Sequence, residues 1–258
     1  MNKKIALAGL GLAALASLNA QKQPNVVFIL TDDLGYGDLS CFGQDKFETP
    51  NIDRLALNGI RFTHTYSGTT VSAPSRASLM TGLHTGHTPI RGNKEMEPEG
   101  QFPLPKDIKT IFSVFKDAGY TTGAFGKWGL GQPGSTGDPN NQNVDEFFGY
   151  NCQLLAHNYY PDHLWHNQTR VDLPENQNGQ FGAYSQDLIQ EKTLQFIEEN
   201  KDNPFFLYAP IVLPHAELIV PEDSIIERFR GAFPEQPYKG VDSGSSFRKG
   251  GYSSQEYP

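Results

Sequence analysis

Two patterns of apolar residues alternate along this chain. One is typical of strands and the other has the spacing of helices. Residues 25–30 form a continuous apolar, β-branched run, as expected for a strand buried on both faces. Residues 120–125 and 205–209 have the same character, and residues 60–64 alternate like a further strand. The pattern therefore predicts four strands separated by polar, glycine-punctuated segments.

Three other segments carry apolar residues at helical spacing, over residues 50–58, 110–118 and 186–199. The first begins at Thr49-Pro50, a capping hydroxyl followed by proline at the first helical position. The residues expected to face the core are Ile52, Leu55, Ala56, Ile111, Val114, Phe115, Ala118, Ile189, Thr193, Phe196 and Ile197. Strands that alternate with helices predict an α/β fold with a mainly parallel sheet flanked by helices.

In such sheets, ligands bind beyond the carboxyl ends of the strands. Asp32, Asp33, Lys127 and His215 all follow predicted strand ends, so we expect them at one edge of the sheet. The glycine- and proline-rich segments 93–105 and 129–143 are expected to form the lips of a cleft.

Composition and charge exclude several classes of protein. The 258 residues include 21 Lys and Arg against 29 Asp and Glu, a net charge of −8, which is unsuited to binding nucleic acid. The two cysteines, Cys41 and Cys152, are too few for a cysteine-rich zinc module. They could pair in an oxidising compartment or remain separate buried thiols.

The N-terminus has the features of an export signal. Lys3 and Lys4 precede an apolar run over residues 5–18 that is short for a membrane span. We predict a signal peptide over residues 1–20, export to the periplasm or outside the cell, and no membrane attachment after cleavage. A buried N-terminal helix is the other interpretation, which the lysines and the polar residues 21–24 disfavour.

Asp32 and Asp33 are the first candidates for chemistry. Neighbouring side chains on a strand point to opposite faces, whereas on an irregular loop both carboxylates can turn toward one hard cation. A metal site and a solvated turn both fit this pair.

Ser72 is the second candidate. Pro74 can begin a helix that Gly82 ends, which would place Ser72 at the helix N-terminus, where free N–H groups stabilise negative charge. Arg76 follows one turn later, and a hydroxyl beside a guanidinium suits a nucleophile for oxyanion transfer. A serine-rich helix cap is the alternative.

Several segments resemble the type I sulfatases. Residues 72–76 (Ser-Ala-Pro-Ser-Arg) with 79–82 (Leu-Met-Thr-Gly) are similar to the family signature in its serine-type form. Residues 24–33 resemble its opening strand, and residues 49–56 and 126–128 match further motifs in the same order. The resemblance implies an alkaline-phosphatase-like fold that is incomplete at the C-terminus.

The resemblance also implies a cofactor made from the chain itself. In the family, the residue at position 72 is oxidised to formylglycine, an aldehyde that hydrates to a geminal diol. Serine-type members resemble substrates of a radical S-adenosylmethionine maturase. A diol has a second hydroxyl whose deprotonation expels sulfate, whereas a plain serine would keep it as a stable ester.

By the same resemblance, calcium would lower the pKa of the diol and hold sulfate oxygens. The site residues that it implies are Asp32, Asp33 and Ser72 as metal ligands, Arg76 to orient residue 72, Lys127 to contact sulfate, and His215 near the leaving-group oxygen.

The sequence departs from the family pattern in two places. Gly129 stands where members commonly have a histidine that contacts the modified residue; His157 could replace it or could instead recognise the sugar. His163 and His166 have no assigned role and are interpreted as surface or cleft residues. The second calcium-binding segment of the family does not occur, so residues 21–258 are expected to be the N-terminal part of a catalytic domain that alone binds calcium weakly.

The leading functional hypothesis is hydrolysis of a sulfate ester of a carbohydrate or an aryl group. Hydrolysis of phosphate or phosphonate esters is the second, since the same broader fold houses both activities. A protein that binds sulfated glycans through an unmodified Ser72 is the non-enzymatic alternative.

Overall fold

The computed structural model describes residues 23–215 and 218–234, so the predicted signal peptide and the glycine- and serine-rich end of the chain lie outside the described residues. The strands are β1 (Val26–Asp32), β2 (Thr121–Lys127), β3 (Glu146–Tyr150), β4 (His163–His166), β5 (Thr169–Asp172) and β6 (Phe205–Pro214). The α-helices are α1 (Pro50–Asn58), α2 (Ser72–Thr81), α3 (Ile111–Asp117), α4 (Ser185–Asn200) and α5 (Ile226–Phe229).

The described strands form one mixed sheet in the order β1-β6-β2-β3-β4-β5. Strands β1, β6, β2 and β3 are parallel, and the hairpin of β4 and β5 continues the sheet in antiparallel fashion. The predicted α/β class with a mainly parallel sheet is confirmed. The parallel strands bring their carboxyl ends to the same edge of the sheet, where the candidate site lies.

Alternate residues of the central strand β6 face two separate cores, one on each side of the sheet. Phe206 and Tyr208 pack with Phe112 of α3 and with α2, whereas Phe205 and Leu207 pack with Phe196 of α4. The period of two along a strand explains this division. Helices α2 and α3 therefore cover one face and α4 covers the other, as the alternation of elements predicted.

Helix α3 begins at a capped residue and buries an aromatic side chain. The hydroxyl of Thr110 accepts a hydrogen bond from the Ser113 amide, so the helix begins at Ile111. The Phe112 ring then lies between Phe206 and Trp128, with ring centroids at 5.1 and 5.9 Å. Val114, which was expected to face the core, is 50% exposed, whereas Phe112 is fully buried.

Three further expectations about packing are wrong for the described residues. Strand β1 pairs with β6 alone, and Val27 and Ile29 are 48% and 55% exposed, so β1 is not buried on both faces. Residues 60–64 form no strand, because no described strand pairs with them. Leu55 of α1 is 68% exposed, since no described element covers that face of the helix.

Cys41 and Cys152 are both free thiols, as one of the two interpretations predicted, but Cys152 is buried whereas Cys41 is only half-buried. Burial raises the pKa of the Cys152 thiol to about 12, so this thiol stays protonated at neutral pH. Among the described helices, none combines the length and the apolar character needed to cross a bilayer.

Candidate active site

Three strand ends and one helix N-terminus meet around an open cleft of about 730 Å³. The strands β1, β2 and β6 end there, and helix α2 begins there. The charged or polar residues that line the cleft include Asp32, Asp33, Ser67, Thr69, Thr70, Ser72, Ser75, Arg76, Asn93, Lys127, Gln153, His157 and His215. The structure thus brings together all seven of the candidate site residues, while their chemical roles stay predictions.

The end of β1 explains how two consecutive aspartates line the same cleft. The pairing of β1 with β6 shifts between Thr31 and Asp32, so that Asp32 lies opposite Pro214. Asp33 then adopts the left-handed region at φ 63°, which aspartate tolerates better than most residues. The irregular backbone turns both carboxylates toward the cleft, as the metal-site interpretation requires.

Ser72 is the first residue of α2, held there by its neighbours. The amide of Ala73 donates to Asn93 Oδ1 at 2.9 Å, and Gly82, at φ 67°, ends the helix. Segment 93–105 therefore contributes Asn93 to the cleft. None of the described residues of segment 129–143 lines it, so only one of the two expected lips is found.

Arg76 connects Ser72 to the ends of the strands. Its Nε donates to Ser72 Oγ at 3.0 Å, and its Nη1 donates to the Lys127 carbonyl at 2.8 Å and to the Tyr208 hydroxyl at 3.3 Å. Its Nη2 lies 3.3 Å from Asp32 Oδ1. The buried guanidinium therefore fixes the position of the Ser72 hydroxyl relative to β1, β2 and β6.

Lys127 and Asp32 form a buried ion pair in which Lys127 Nζ donates to Asp32 Oδ2 at 2.6 Å. Burial acts to raise the pKa of Asp32, but the charges of Lys127 and Arg76 outweigh it and lower that pKa. Burial lowers the pKa of Lys127, and Asp32 opposes this effect only in part. The floor of the cleft thus has two cationic groups around one carboxylate, a positive excess that suits a bound anion.

Two histidines lie side by side at the rim of the cleft. The rings of His157 and His215 stack with centroids 4.8 Å apart and planes at 4°. His215 Nε2 lies 3.4 Å from Asp33 Oδ2. Burial lowers the pKa of His157 to about 4, with Lys127 and His215 adding to the effect, so His157 is neutral at physiological pH.

His163 lies away from the cleft and is buried, although the sequence analysis interprets it as a surface or cleft residue. It is buried on β4, where its Nε2 lies 2.7 Å from Glu99 Oε2 and its Nδ1 lies 2.6 Å from Asp162 Oδ1. Glu99 also accepts a hydrogen bond from Trp165 Nε1 at 2.9 Å. His163 is therefore a structural residue, since both of its ring nitrogens lie within hydrogen-bond distance of carboxylates. His166 is partly exposed, as expected.

Sequence reasoning did not single out Asn93 or Gln153 among the cleft residues. Asn93 lies twenty positions from the helix that it caps, and no local pattern predicts that contact. Gln153 follows β3, a strand that the sequence analysis also did not predict. Both residues depend on chain segments that meet only in the folded protein.

The donor set agrees in kind with a calcium ion. Asp32, Asp33 and Ser72 present carboxylate and hydroxyl oxygens to the same cleft, and calcium prefers oxygen ligands. Calcium takes roughly six to eight oxygens, however, and the described part of the chain contains no group of three or more His, Cys, Asp or Glu side chains placed to hold a metal. These residues fit part of a calcium site.

The fold and the cleft define an α/β protein with a charged cleft at the carboxyl edge of a mainly parallel sheet. The family model described as Sulfatase matches residues 24–243, most of the chain. The chain therefore belongs to the sulfatase family, which confirms the resemblance seen in the sequence.

Two characterised relatives show the same kinship. An arylsulfatase of Hemicentrotus pulcherrimus is 34% identical over 234 residues, which cover 82% of this chain and 41% of that protein. An N-acetylgalactosamine-6-O-sulfatase of Bacteroides thetaiotaomicron is 44% identical over 126 residues, covering 46% of this chain and 23% of that protein.

Solved structures show the same fold. The crystal structure of Ps i-CgsB in complex with k-i-k-neocarrahexaose superimposes with a TM-score of 0.70 at 30% identity, covering 80% of this chain and 48% of the other. This likeness confirms the alkaline-phosphatase-like fold. The chain spans about half or less of the length of the relatives that it matches.

Proposed function

We propose that this protein hydrolyses sulfate esters, with residue 72 as the nucleophile. The observation that carries the proposal is the hydrogen bond from Arg76 Nε to Ser72 Oγ at the start of α2, in a cleft whose floor holds Lys127. A hydroxyl fixed beside two buried cations suits attack on an anionic ester, because both substrate and transition state carry negative charge.

Arg76 has the most constrained role in this proposal. Its guanidinium orients residue 72 and at the same time holds Asp32 and the carbonyl of Lys127, so the attacking oxygen has one position. Conversion of Ser72 to formylglycine by a radical S-adenosylmethionine maturase would supply a hydrated aldehyde, whose second hydroxyl allows sulfate to leave.

Lys127 and His215 would act on the substrate itself. Lys127 extends from the end of β2 into the cleft, where its ammonium can contact a sulfate oxygen while Asp32 holds it in place. His215 lies where it can give a proton to the departing oxygen, and its Nε2 is 3.4 Å from Asp33 Oδ2. His157, neutral and stacked on His215, would orient that ring or contact the sugar.

Asp32, Asp33 and residue 72 would hold a calcium ion, in agreement with their oxygen donors. The ion would supply positive charge against the sulfate oxygens and lower the pKa of the attacking hydroxyl. Ligands outside the described residues would complete its coordination, because the cleft by itself provides too few.

The proposed substrate is a sulfated carbohydrate or an aryl sulfate. Two related proteins support the carbohydrate, one named an N-acetylgalactosamine-6-O-sulfatase and one crystallised with k-i-k-neocarrahexaose. Export to the periplasm or beyond by the segment 1–20 would bring the enzyme to such polymers.

The test compares hydrolysis of an aryl sulfate and an aryl phosphate by the full-length protein. We expect sulfate hydrolysis to dominate and the Ser72→Ala variant to lose it, whereas Ser78→Ala on the same helix keeps it. Ser78 is a matched control because its hydroxyl donates to the Leu83 carbonyl, away from the cleft. Faster phosphate hydrolysis would favour the phosphatase alternative, and glycan binding without either activity would favour the binding protein.

A further inference from the structure

Gln153 is a buried polar residue in the cleft for which the proposed mechanism has no use. Its side chain lines the cleft together with Ser72 and Lys127, yet the residue is only 3% exposed. Both its Nε2 and its Oε1 are without a hydrogen-bond partner among the residues that the structure describes. A buried amide left unpaired is costly, so a group that enters the cleft is expected to satisfy it.

The position of the Gln153 backbone is fixed from two sides. Its amide donates to Gln101 Oε1 at 2.6 Å, and two residues earlier the carbonyl of Asn151 accepts from the Gly129 amide at 3.1 Å. The unpaired side chain is therefore held by a well-anchored backbone, which is the condition for a preorganised hydrogen-bond donor.

Gly129 explains why the amide can reach this place. A Cβ at position 129 would lie 1.9 Å from Gln153 Nε2, and the backbone there has φ 72°, which favours glycine. The Gln153 amide thus occupies the space into which any side chain at position 129 would extend.

We infer that Gln153 is a substrate-binding residue whose Nε2, placed in the space that a side chain at position 129 would fill, donates a hydrogen bond to an oxygen of the bound sulfate ester. The inference rests on the proposed sulfatase function. His157 does not fill this space, since its ring is stacked on His215. A neutral amide offers a donor at every working pH, whereas an imidazole in the same place would titrate.

The amide also gives the site a preference that can be measured. A donor that stays unpaired without ligand favours substrates that present an oxygen to it, and a carboxylate of the same shape would repel the sulfate instead. Glutamate at position 153 therefore disrupts function more than alanine does, although it keeps the volume and the packing of the native side chain.

The experiment compares Gln153→Ala, Gln153→Glu and a control, Gln132→Ala, in the full-length protein. Gln132 is a glutamine with an unpaired buried oxygen that does not line the cleft. We expect kcat/KM for the aryl sulfate to fall about 10- to 100-fold in Gln153→Ala and further in Gln153→Glu, with Gln132→Ala unchanged. Mass spectrometry checks that residue 72 is converted equally in each variant.

A second measurement separates this inference from the proposed function. In the Ser72→Ala background, residue 72 is not converted and no substrate turns over. There the melting temperature is measured at increasing concentrations of inorganic sulfate. We expect Gln153→Glu to abolish the sulfate-induced rise and Gln153→Ala to reduce it. If Gln153→Glu binds sulfate and turns over substrate at least as well as Gln153→Ala, the residue has only a packing role and the inference is wrong. Equal sulfate binding and equal turnover in Gln153→Ala, Gln153→Glu and Gln132→Ala would overturn it too.

Discussion

Two clusters of charged side chains among the described residues differ in their surroundings: one lies at the cleft that contains Ser72, and the other joins the hairpin of β4 and β5 to segment 93–105. The cleft cluster consists of Asp32, Arg76 and Lys127 at the ends of β1 and β2 and on α2. The hairpin cluster joins Glu99 to the β4 side chains His163 and Trp165, with Asp162 beside them.

The two clusters differ in whether the hydrogen-bonding atoms in and beside them have partners within the protein. In the hairpin cluster, both nitrogens of His163 and both oxygens of Glu99 end on other protein groups. Beside the cleft cluster, the buried amide nitrogen and oxygen of Gln153 have no partner among the described residues, and Asp33 lines the cleft. Burial and ion pairing are therefore common to both, and spare hydrogen-bonding capacity at a cleft is what distinguishes the candidate active site.

The largest effect is expected where the cleft cluster is broken. Lys127→Met leaves the buried Asp32 carboxylate with Arg76 as its remaining cationic partner, and we expect the free energy of unfolding to fall by about 3 kcal/mol. Urea denaturation in the presence of a chelator measures this without any contribution from bound cations.

The double variant Asp32→Asn/Lys127→Met closes a double-mutant cycle with the two single variants, since the Asp32 and Lys127 side chains are in contact. The stability losses of the two single variants should sum to more than the loss in the double variant, and all three variants should lack sulfatase activity. A Lys127→Met protein that unfolds at the same urea concentration as the parent would show that the buried pair contributes nothing.

A smaller and pH-dependent effect is expected in the hairpin cluster. His163→Gln removes the hydrogen bonds to Glu99 and Asp162, and we expect a loss of roughly 1–2 kcal/mol in the free energy of unfolding at pH 6. Burial lowers the pKa of His163, but the two carboxylates outweigh burial and the net pKa is raised.

The sign of the pH dependence follows from that raised pKa. The stabilisation is fully present below the ordinary histidine pKa of about 6.5 and is lost as the pH rises through the higher value of the folded state. The difference in melting temperature between parent and His163→Gln should therefore shrink between pH 6 and pH 9. A difference that grows with pH would contradict the raised pKa.

The smallest effect is expected three residues further along the same strand. His166 is partly exposed, and its Nε2 lies 3.8 Å from Glu146 Oε1, too far for a hydrogen bond. We expect His166→Gln to change the free energy of unfolding by less than about 0.5 kcal/mol, measured by the same thermal scans. An effect as large as that of His163→Gln would mean that the two histidines are not structurally distinct.

Periodicity predicted the parts of the fold that depend on local pattern. The apolar runs of β1, β2 and β6 and the helical spacing of α3 and α4 correspond to the observed elements, because buried strands and amphipathic helices have clear periods. The alternating pattern of residues 60–64 predicted a strand that is not observed, since alternation gives a strand only where another strand pairs with it.

Features that depend on distant contacts could not be predicted. Strands β4 and β5 have four residues each and little apolar character, so their pairing is stabilised by the sheet beside them rather than by their own sequence. The burial of His163 and the placement of Gln153 beside Gly129 depend on residues more than twenty positions away. Only the folded chain shows which histidine is structural and which amide faces the cleft.

Mass spectrometry of the protein from its native host tests the central claim most directly. Trypsin releases residues 62–76 as one peptide that contains Ser72. Our account predicts that this peptide is lighter by two hydrogen atoms than its sequence requires, the mark of formylglycine. An unmodified serine at position 72 in protein that hydrolyses aryl sulfates would contradict it.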